Sequence, residues 1–586
     1  MSVPLPDPSA IDYVASAQQA LDYPATPGDV LAQIAANYPQ LRASVAGHPN
    51  AYPELLDWLD QQGDPAVSSA VAQRRGQTAH PSNAAHATPV GAPAGQPPTG
   101  PAPKRRLSGK VIGLTVAVAV VLLGLLAWLV VAPRLNSGVS PAKPAEPITT
   151  PAGPTSTSQA VPTTAPMGFA PIVAGGTGND RFFSVQVVAD GGYIAAGSTS
   201  STDGDFPPKH GAQDALLARF GPDGTLQWAK TMGGAGDDAF RGVQVTPDGG
   251  FITVGDTTST DGDFPPSHGG DVTGDALLAR FGPDGTMQWA KTMGGADEDE
   301  FYSVAVAPDG GIIAAGYTTS TDGDFPSSHG NNMDAVLARF GADGTLQGVK
   351  TMGGSGGDVF GAVAVAPDGG VIAAGSTTST DGDFPPSHGG DNFGDALLVK
   401  YGPDGTLQWA KTMGGTNDEE FNGVAITPDG GVIAAGGTIS TAGDFPPIHD
   451  RWDALLARFG PDGTMQWAKT MGGSDDEEFL SVTVAPDGGA IAAGYTYSTD
   501  GDFPPSNGHQ DAVLARFGPD GTLQWAKTTG GTEDDVFRAV AVAPDGGVAA
   551  AGSTVSTDGD FPPSHGGDFF GDALLAYFAA DGTLRL

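Results

Sequence analysis

Cysteine is absent from all 586 residues, and basic side chains are scarce, with 27 Lys and Arg against 66 Asp and Glu. The first absence removes disulfides, iron–sulfur clusters and thiolate zinc sites together. The second leaves a net charge of −39, unevenly spread. Residues 1–110 hold 8 acids and 7 bases, so the remainder carries −38. Such a field repels phosphate backbones and excludes nucleic acid as a partner of the C-terminal part, while cations or basic partners are attracted. The N-terminus "MSVPLPDPSA" also lacks the basic patch and apolar run of a signal peptide.

A chain this long predicts more than one domain. One stretch, residues 111–132, "VIGLTVAVAVVLLGLLAWLVVA", is uncharged and long enough to cross a hydrocarbon core of ~30 Å as a helix at ~1.5 Å per residue. Lys104, Arg105, Arg106 and Lys110 precede it closely, whereas Arg134 and Lys143 are the nearest bases beyond it. The positive-inside pattern therefore predicts a single-pass cell-membrane protein with a cytoplasmic N-terminus, the rest outside, and the span as an uncleaved anchor. Residues 76–110, a Pro/Ala/Gly linker ending in the basic cluster, and the Pro/Thr/Ser stalk of 133–166 are too poor in apolar side chains to fold.

Residues 1–75 read as a small all-α domain. In "TPGDVLAQIAANYPQL" Thr26 caps, Pro27 opens the helix, and Val30, Leu31 and Ile34 recur at helical spacing. "YPELLDWLDQQG" repeats the device from Pro53 to Gly63. With "GHPN" between them, these segments resemble the variant leucine-rich repeat domain at the N-termini of many actinobacterial membrane proteins. The resemblance implies a contact module for a cytoplasmic protein partner. Some relatives carry an iron–sulfur cluster on cysteines, a role this chain cannot take. His48, in the turn, reads as structural or solvated.

From residue 167 the chain is periodic. A Gly-Gly pair recurs at Gly175, Gly233, Gly294, Gly353, Gly414, Gly472 and Gly530 and opens seven units of about sixty residues. In the second unit "RGVQV", "FITVGDT", "DALLARF" and "TLQWAKTMGG" read as four short strands, the first and second pairs joined by Pro-Asp-Gly turns. Four antiparallel strands per unit and seven units predict a seven-bladed propeller over 167–586, closed so that no sheet edge is exposed. The last unit stops at "DGTLRL", and "GFAPIVAGG" aligns with the strand it lacks, so an N-terminal strand should complete the last blade. The units "DGDFPPSHGGD", "DALLARFGPDGTLQWAKTMGG" and "VAVAPDGGVIAAGST" are similar to the β-propeller repeats of bacterial surface proteins (SBBP-like). That resemblance implies an architecture and no particular ligand.

Strand order places the Asp-Phe-Pro loops and the acidic inter-blade segments on one face, with His210, His268, His329, His388, His449, His509 and His565. Calcium would find ligands in the paired aspartates Asp203, Asp205, Asp261, Asp263, Asp322, Asp324, Asp381, Asp383, Asp500, Asp502, Asp558 and Asp560, aided by a later carboxylate such as Asp271. Against it, Ala442 replaces the first aspartate in the fifth unit. Symmetry spaces the histidines around a ring, which disfavours a transition metal. The third reading is a folded connection with Phe264 packed inward and the prolines stiffening the loop. No cofactor other than such calcium is implied.

Catalysis needs different groups converging on one point, and a sevenfold copy offers no single-copy triad or distinct acid pair, so no catalytic residue is assigned. Departures from the repeat at Arg181, Lys209, Arg451 with Trp452, and Arg538 are where specificity would hide. The sequence is thus read as multidomain, with a small all-α N-terminal domain, one transmembrane helix and an all-β seven-bladed propeller of four-stranded blades. Its expected role is an extracellular binding, adhesion or scaffolding module for a protein, cell-wall or glycan ligand. The alternatives are a surface enzyme acting on glycans at the propeller channel, and a ligand sensor coupled to the cytoplasmic repeat domain.

Overall fold

The computed structural model describes residues 41–48, isolated positions between 51 and 71, and 168–586 apart from loop positions 271–272, 327, 330–331, 390–392 and 567–570. The chain divides into two compact units, Met1–Ala152 and Gly153–Leu586. In the first, α1 (Arg42–Gly47) is followed by His48, whose N–H caps the helix on the Val45 carbonyl. Leu41, Val45, Ala46, Leu56, Leu59, Val67 and Val71 are buried, and so is His48, which places it in the structural role.

The second unit is the expected propeller, with seven sheets of four antiparallel strands. In the first blade these are β2 (Asp180–Val187), β3 (Tyr193–Thr199), β4 (Asp214–Phe220) and β5 (Leu226–Met232). The last blade contains β26 (Asp535–Val542), β27 (Val548–Thr554) and β28 (Asp572–Phe578), and is completed by β1 (Ile172–Ala174) from the start of the unit. The register is Ile172 on Leu575, Val173 on Leu574 and Ala174 on Ala573.

The hydrophobic core lies between blades. Ile194 and Leu217 of the first blade pack with Phe240, Phe251, Leu277 and Phe281 of the second, and equivalent clusters fill the other six junctions. The phenylalanine of each Asp-Phe-Pro step belongs to this core: Phe264 is buried and meets Phe240 edge-on at 5.8 Å. The middle strands, covered on both faces by neighbouring blades, are therefore buried throughout and mostly apolar, as β3 and β4 illustrate. Each Pro-Asp-Gly turn is a tight hairpin whose glycine takes positive φ, +81° at Gly249. A basic residue of the third strand holds the first of these turns, as Arg280 does with Asp248 at 2.6 Å.

One expectation is corrected. No helix among the described residues is long and apolar enough to cross a membrane. The α-helix described spans six residues, about 9 Å at ~1.5 Å per residue against a core of ~30 Å. The described strands run three to eight residues, and their apolar faces are spent between blades. The transmembrane helix assigned to residues 111–132 lies outside the described residues, and the single-pass membrane placement built on it is withdrawn.

Candidate ligand site at the channel mouth

The first strand of every blade is innermost. β2, β6 (Asp238–Val245), β10 (Asp299–Val306), β14 (Asp358–Val365), β18 (Glu419–Ile426), β22 (Glu477–Val484) and β26 ring a central cavity of about 710 Å³. All seven share an irregularity. The ladder shifts after the third residue, so that Phe182 pairs with Gly197 and Ser184 with Ala196 while Phe183 between them is left out. The residues bulged in this way are Phe183, Arg241, Tyr302, Gly361, Asn422, Leu480 and Arg538. Each lines the cavity. A bulge re-aims a side chain away from the sheet's packing surfaces, which frees that position to vary.

The variation is specific. In every innermost strand the first residue is Asp or Glu and the third is Phe, but the second runs Arg181, Ala239, Glu300, Val359, Glu420, Glu478, Val536. Sevenfold symmetry therefore breaks at the end of the channel nearest the Asp-Phe-Pro loops. Arginines come from adjacent blades: the guanidinium carbons of Arg241 and Arg538 lie 4.9 and 5.7 Å from the centroid of the Phe183 ring. Burial, with the neighbouring charges of Arg181 and Arg241, lowers the Arg538 pKa to about 10. Arg181 is lowered by burial and by Arg241. Arg241 differs, because burial is outweighed by Asp256 at 3.0 Å and Glu300 at 2.7 Å and its pKa rises. No ion pair reaches Arg181 or Arg538 among the described residues, and the buried Nε of Arg538 has no hydrogen-bond partner.

Acidic groups come from the third, fifth and sixth blades. Glu478 accepts from the Tyr495 hydroxyl at 2.8 Å and from the Asn422 amide at 2.6 Å. Burial and the adjacent Glu420 push it up to about 8. Burial and Asp256 push Glu300 upward as well, with Arg241 opposing. The mouth thus combines a cationic, aromatic side with a protonatable acidic side.

The paired aspartates of the loops are placed elsewhere, at the blade junctions. Oδ1 of the first accepts from the N–H after the Gly-Gly step: Asp203 from Thr177, Asp261 from Ala235, Asp322 from Ala296, Asp381 from Ser355, Asp500 from Ser474 and Asp558 from Thr532, at 2.7–3.0 Å. Oδ2 of the second faces the first glycine's N–H, Asp205 with Gly175, Asp263 with Gly233, Asp324 with Gly294, Asp383 with Gly353, Asp502 with Gly472 and Asp560 with Gly530, at 3.2–3.4 Å. These carboxylates clip each loop to the turn entering its blade. Asp271 lies outside the described residues. Among the described residues no group of three or more His, Asp or Glu side chains is arranged to hold a metal ion.

Six of the seven loop histidines face the aspartate that starts the third strand, as His210 Nδ1 does with Asp214 at 2.7 Å. His509 turns instead to Asp534, at 2.7 Å. Lys209 donates to the Gly211 carbonyl, Arg451 makes an exposed contact with Asp475 at 3.3 Å, and the buried indole nitrogen of Trp452 has no hydrogen-bond partner. Of the departures singled out in the sequence, only Arg181 and Arg538 belong to the channel mouth. Arg241, Phe183, Glu300 and Glu478 were not singled out, and the available signal was the Phe-x-x-Val spacing, as in Phe182 to Val185, which breaks strand alternation.

Residues 15–75 match the Leucine Rich Repeat Variant domain. The regulatory protein FlaEY of Caulobacter vibrioides is 26% identical over 354 residues, a match covering 54% of this chain and 36% of that protein. The chain therefore spans little over a third of that relative's length. Similar solved structures are the Pan2 WD40 domain of Neurospora crassa (11% identity, 68% of this chain and 89% of that one, TM-score 0.38) and Sqt1 from Chaetomium thermophilum (11%, 66% and 96%, 0.33). The gluconolactonase XC5397 of Xanthomonas campestris is a third (12%, 58% and 92%, 0.27). At such scores these likenesses carry no argument about what the chain binds or does. An actinobacterial origin and a relation of the seven repeats to the bacterial surface-protein family are not shown.

Proposed function

We propose that the propeller is a binding module whose ligand, a protein or glycan carrying an acidic group, is held at the channel mouth with that group against Arg181, Arg241 and Arg538. The observation that carries this reading is the break in symmetry. The second and fourth positions vary among the blades while the phenylalanine between them is invariant, and three guanidinium groups converge there in an otherwise acidic domain. A desolvated arginine without a carboxylate partner is costly, and an anion entering the mouth would relieve that cost. Glu478, Asn422 and Tyr302 on the remaining blades supply hydrogen-bonding groups for the neutral part of the ligand. The leucine-rich repeat variant segment offers a second contact surface, for a separate protein partner.

Screening the full chain against acidic peptides and uronate-bearing oligosaccharides tests the reading. Binding should weaken about tenfold or more in Arg538→Ala and Arg181→Ala, roughly 1.4 kcal/mol for each decade. A ligand whose affinity both substitutions leave unchanged would show that the mouth is not the site. Product formation lost in Glu478→Gln or Glu300→Gln would favour the enzyme reading instead.

A further inference from the structure

At six of the seven blade junctions an aromatic ring from the fourth strand, or from just before it, covers the glycine of the next blade's Pro-Asp-Gly or Ala-Asp-Gly turn. Trp228 covers Gly285, Trp289 covers Gly344, Trp409 covers Gly463, Trp467 covers Gly521 and Trp525 covers Gly582; at the closing junction Phe169 covers Gly224. A Cβ on any of these glycines would meet the ring at 2.6–3.0 Å, and all six are buried. At two of these junctions the indole also makes a directed bond. Trp409 Nε1 donates to the Pro461 carbonyl at 3.4 Å and Trp467 Nε1 to Pro519 at 3.1 Å, each a turn proline of the next blade.

The junction between the third and fourth blades departs from this rule. Gly348 of β13 (Leu346–Met352) stands where five of the other six fourth strands carry tryptophan, paired with Arg339 as Trp289 is with Arg280. A Cβ on Gly348 or on Gly405, its counterpart turn glycine, would meet nothing within 4 Å, and Gly405 is only half-buried. The result is a cavity of about 340 Å³ bounded by Gly348, Val349, Lys350, Tyr401, Pro403 and Gly405. The blade that faces it has changed as well. Tyr401 and Lys400 occupy positions filled by Phe and Arg in most other blades, and the Lys350 ammonium lies 5.8 Å from the Tyr401 ring.

We propose that this cavity is a recognition site for an indole ring, and that its occupant is a tryptophan side chain of a partner protein. The surrounding backbone is that of five junctions which hold a tryptophan of the chain itself, so shape complementarity to indole is built in by the repeat. Pro403, counterpart of Pro461 and Pro519, presents the carbonyl acceptor for the indole N–H. Lys350 would lie at the rim, placed for a cation–π contact. The site is distinct from the channel mouth and does not rest on that reading.

The test is calorimetric titration of the full chain with the capped peptide Ala-Trp-Ala, with Ala-Phe-Ala and free indole as comparison ligands. One saturable site per chain is expected for Ala-Trp-Ala, with Ala-Phe-Ala weaker for want of the N–H. Gly348→Trp should weaken binding by about tenfold or more and raise Tm, since the chain then fills its own cavity. Gly348→Leu serves the same purpose where the larger side chain does not fold. Trp467→Gly, which recreates the cavity at another junction, should add a second site. Absence of saturable Ala-Trp-Ala binding, or unchanged binding in a folded Gly348 variant, overturns the proposal. Free indole binding as tightly as the peptide overturns the assignment to a partner protein.

Discussion

Ile172 and Leu575, 403 positions apart in the chain, face each other across the same sheet, and this pair is where the ring closes. Phe169, just before the closing strand, packs against Tyr193 of the first blade at 5.3 Å and Tyr577 of the last at 5.6 Å. One short segment therefore joins both ends of the propeller.

Deleting residues 168–174 should strip β28 of its outer partner and expose a sheet edge. A lowered Tm and concentration-dependent aggregation are expected. The single change Phe169→Ala should cost about 3–5 kcal/mol, as for other buried phenylalanines. Melting curves that match the wild type in both variants would show that "DGTLRL" secures the last blade unaided.

Bulging brings the first strand so close to the second that glycine is the residue that fits opposite. A Cβ on Gly316 would lie 1.8 Å from the Glu300 carbonyl oxygen, and the same approach recurs at Gly197, Gly255, Gly375, Gly436, Gly494 and Gly552. Gly316→Ala should lower stability by about 1–3 kcal/mol or more through forced backbone displacement. Gly348→Ala, on an open strand, should be neutral or slightly stabilising. Equal effects of the two in urea denaturation would refute the close-approach argument.

The propeller should be most stable in mild acid. Burial pushes Asp299 and Asp535 up to about 6, against hydrogen bonds from Thr and Ser side chains and with Asp275 and Asp511 adding repulsion, and it pushes Glu478 up to about 8. Carboxyl groups raised in the folded state contribute stability that is full below the unfolded value of about 4 and is lost as pH rises through the folded pKa. His329 and His449, raised by hydrogen bonds to Asp334 and Asp453, act in the same direction above their ordinary range. Turn aspartates such as Asp248 and Asp429 are lowered by Thr hydroxyl bonds and arginine, so their contribution disappears on further acidification. Tm should therefore fall between about pH 5.5 and 8.5, and Glu478→Gln should flatten the upper part of that slope. A Tm that climbs over this range would contradict the assignment.

The loop aspartates should behave as clips. Calcium and magnesium at equal ionic strength are expected to shift Tm alike, by screening of the acidic charge, and sodium chloride should reproduce much of the effect. Asp261→Ala should cost about 1 kcal/mol through its lost bond to Ala235, whereas Asp261→Asn, which keeps the acceptor, should cost less. A calcium-specific rise in Tm that Asp261→Asn with Asp263→Asn abolishes would make the pair a metal site after all.

Repetition made the architecture legible. Alternating runs, Pro-Asp-Gly turns and the Gly-Gly period gave seven four-stranded blades, and the truncated last unit gave the closing strand, because these features depend on local backbone preferences copied seven times. The inward packing of Phe264 was legible for the same reason. The span expected at residues 111–132, from an apolar run and its basic flank, lies outside the described residues, among which no helix is long and apolar enough to cross a membrane. The channel site was not legible, because a bulge changes which face a side chain points to without changing composition. Arg181, Arg241 and Arg538 are far apart in sequence and meet because the first and last blades become neighbours on closure. Sequence by itself therefore determined the blade, its copy number and its turns. Closing the ring decided which single-copy residues share a channel, and the exchange of one tryptophan for Gly348 became a cavity only once the next blade's turn was set against it.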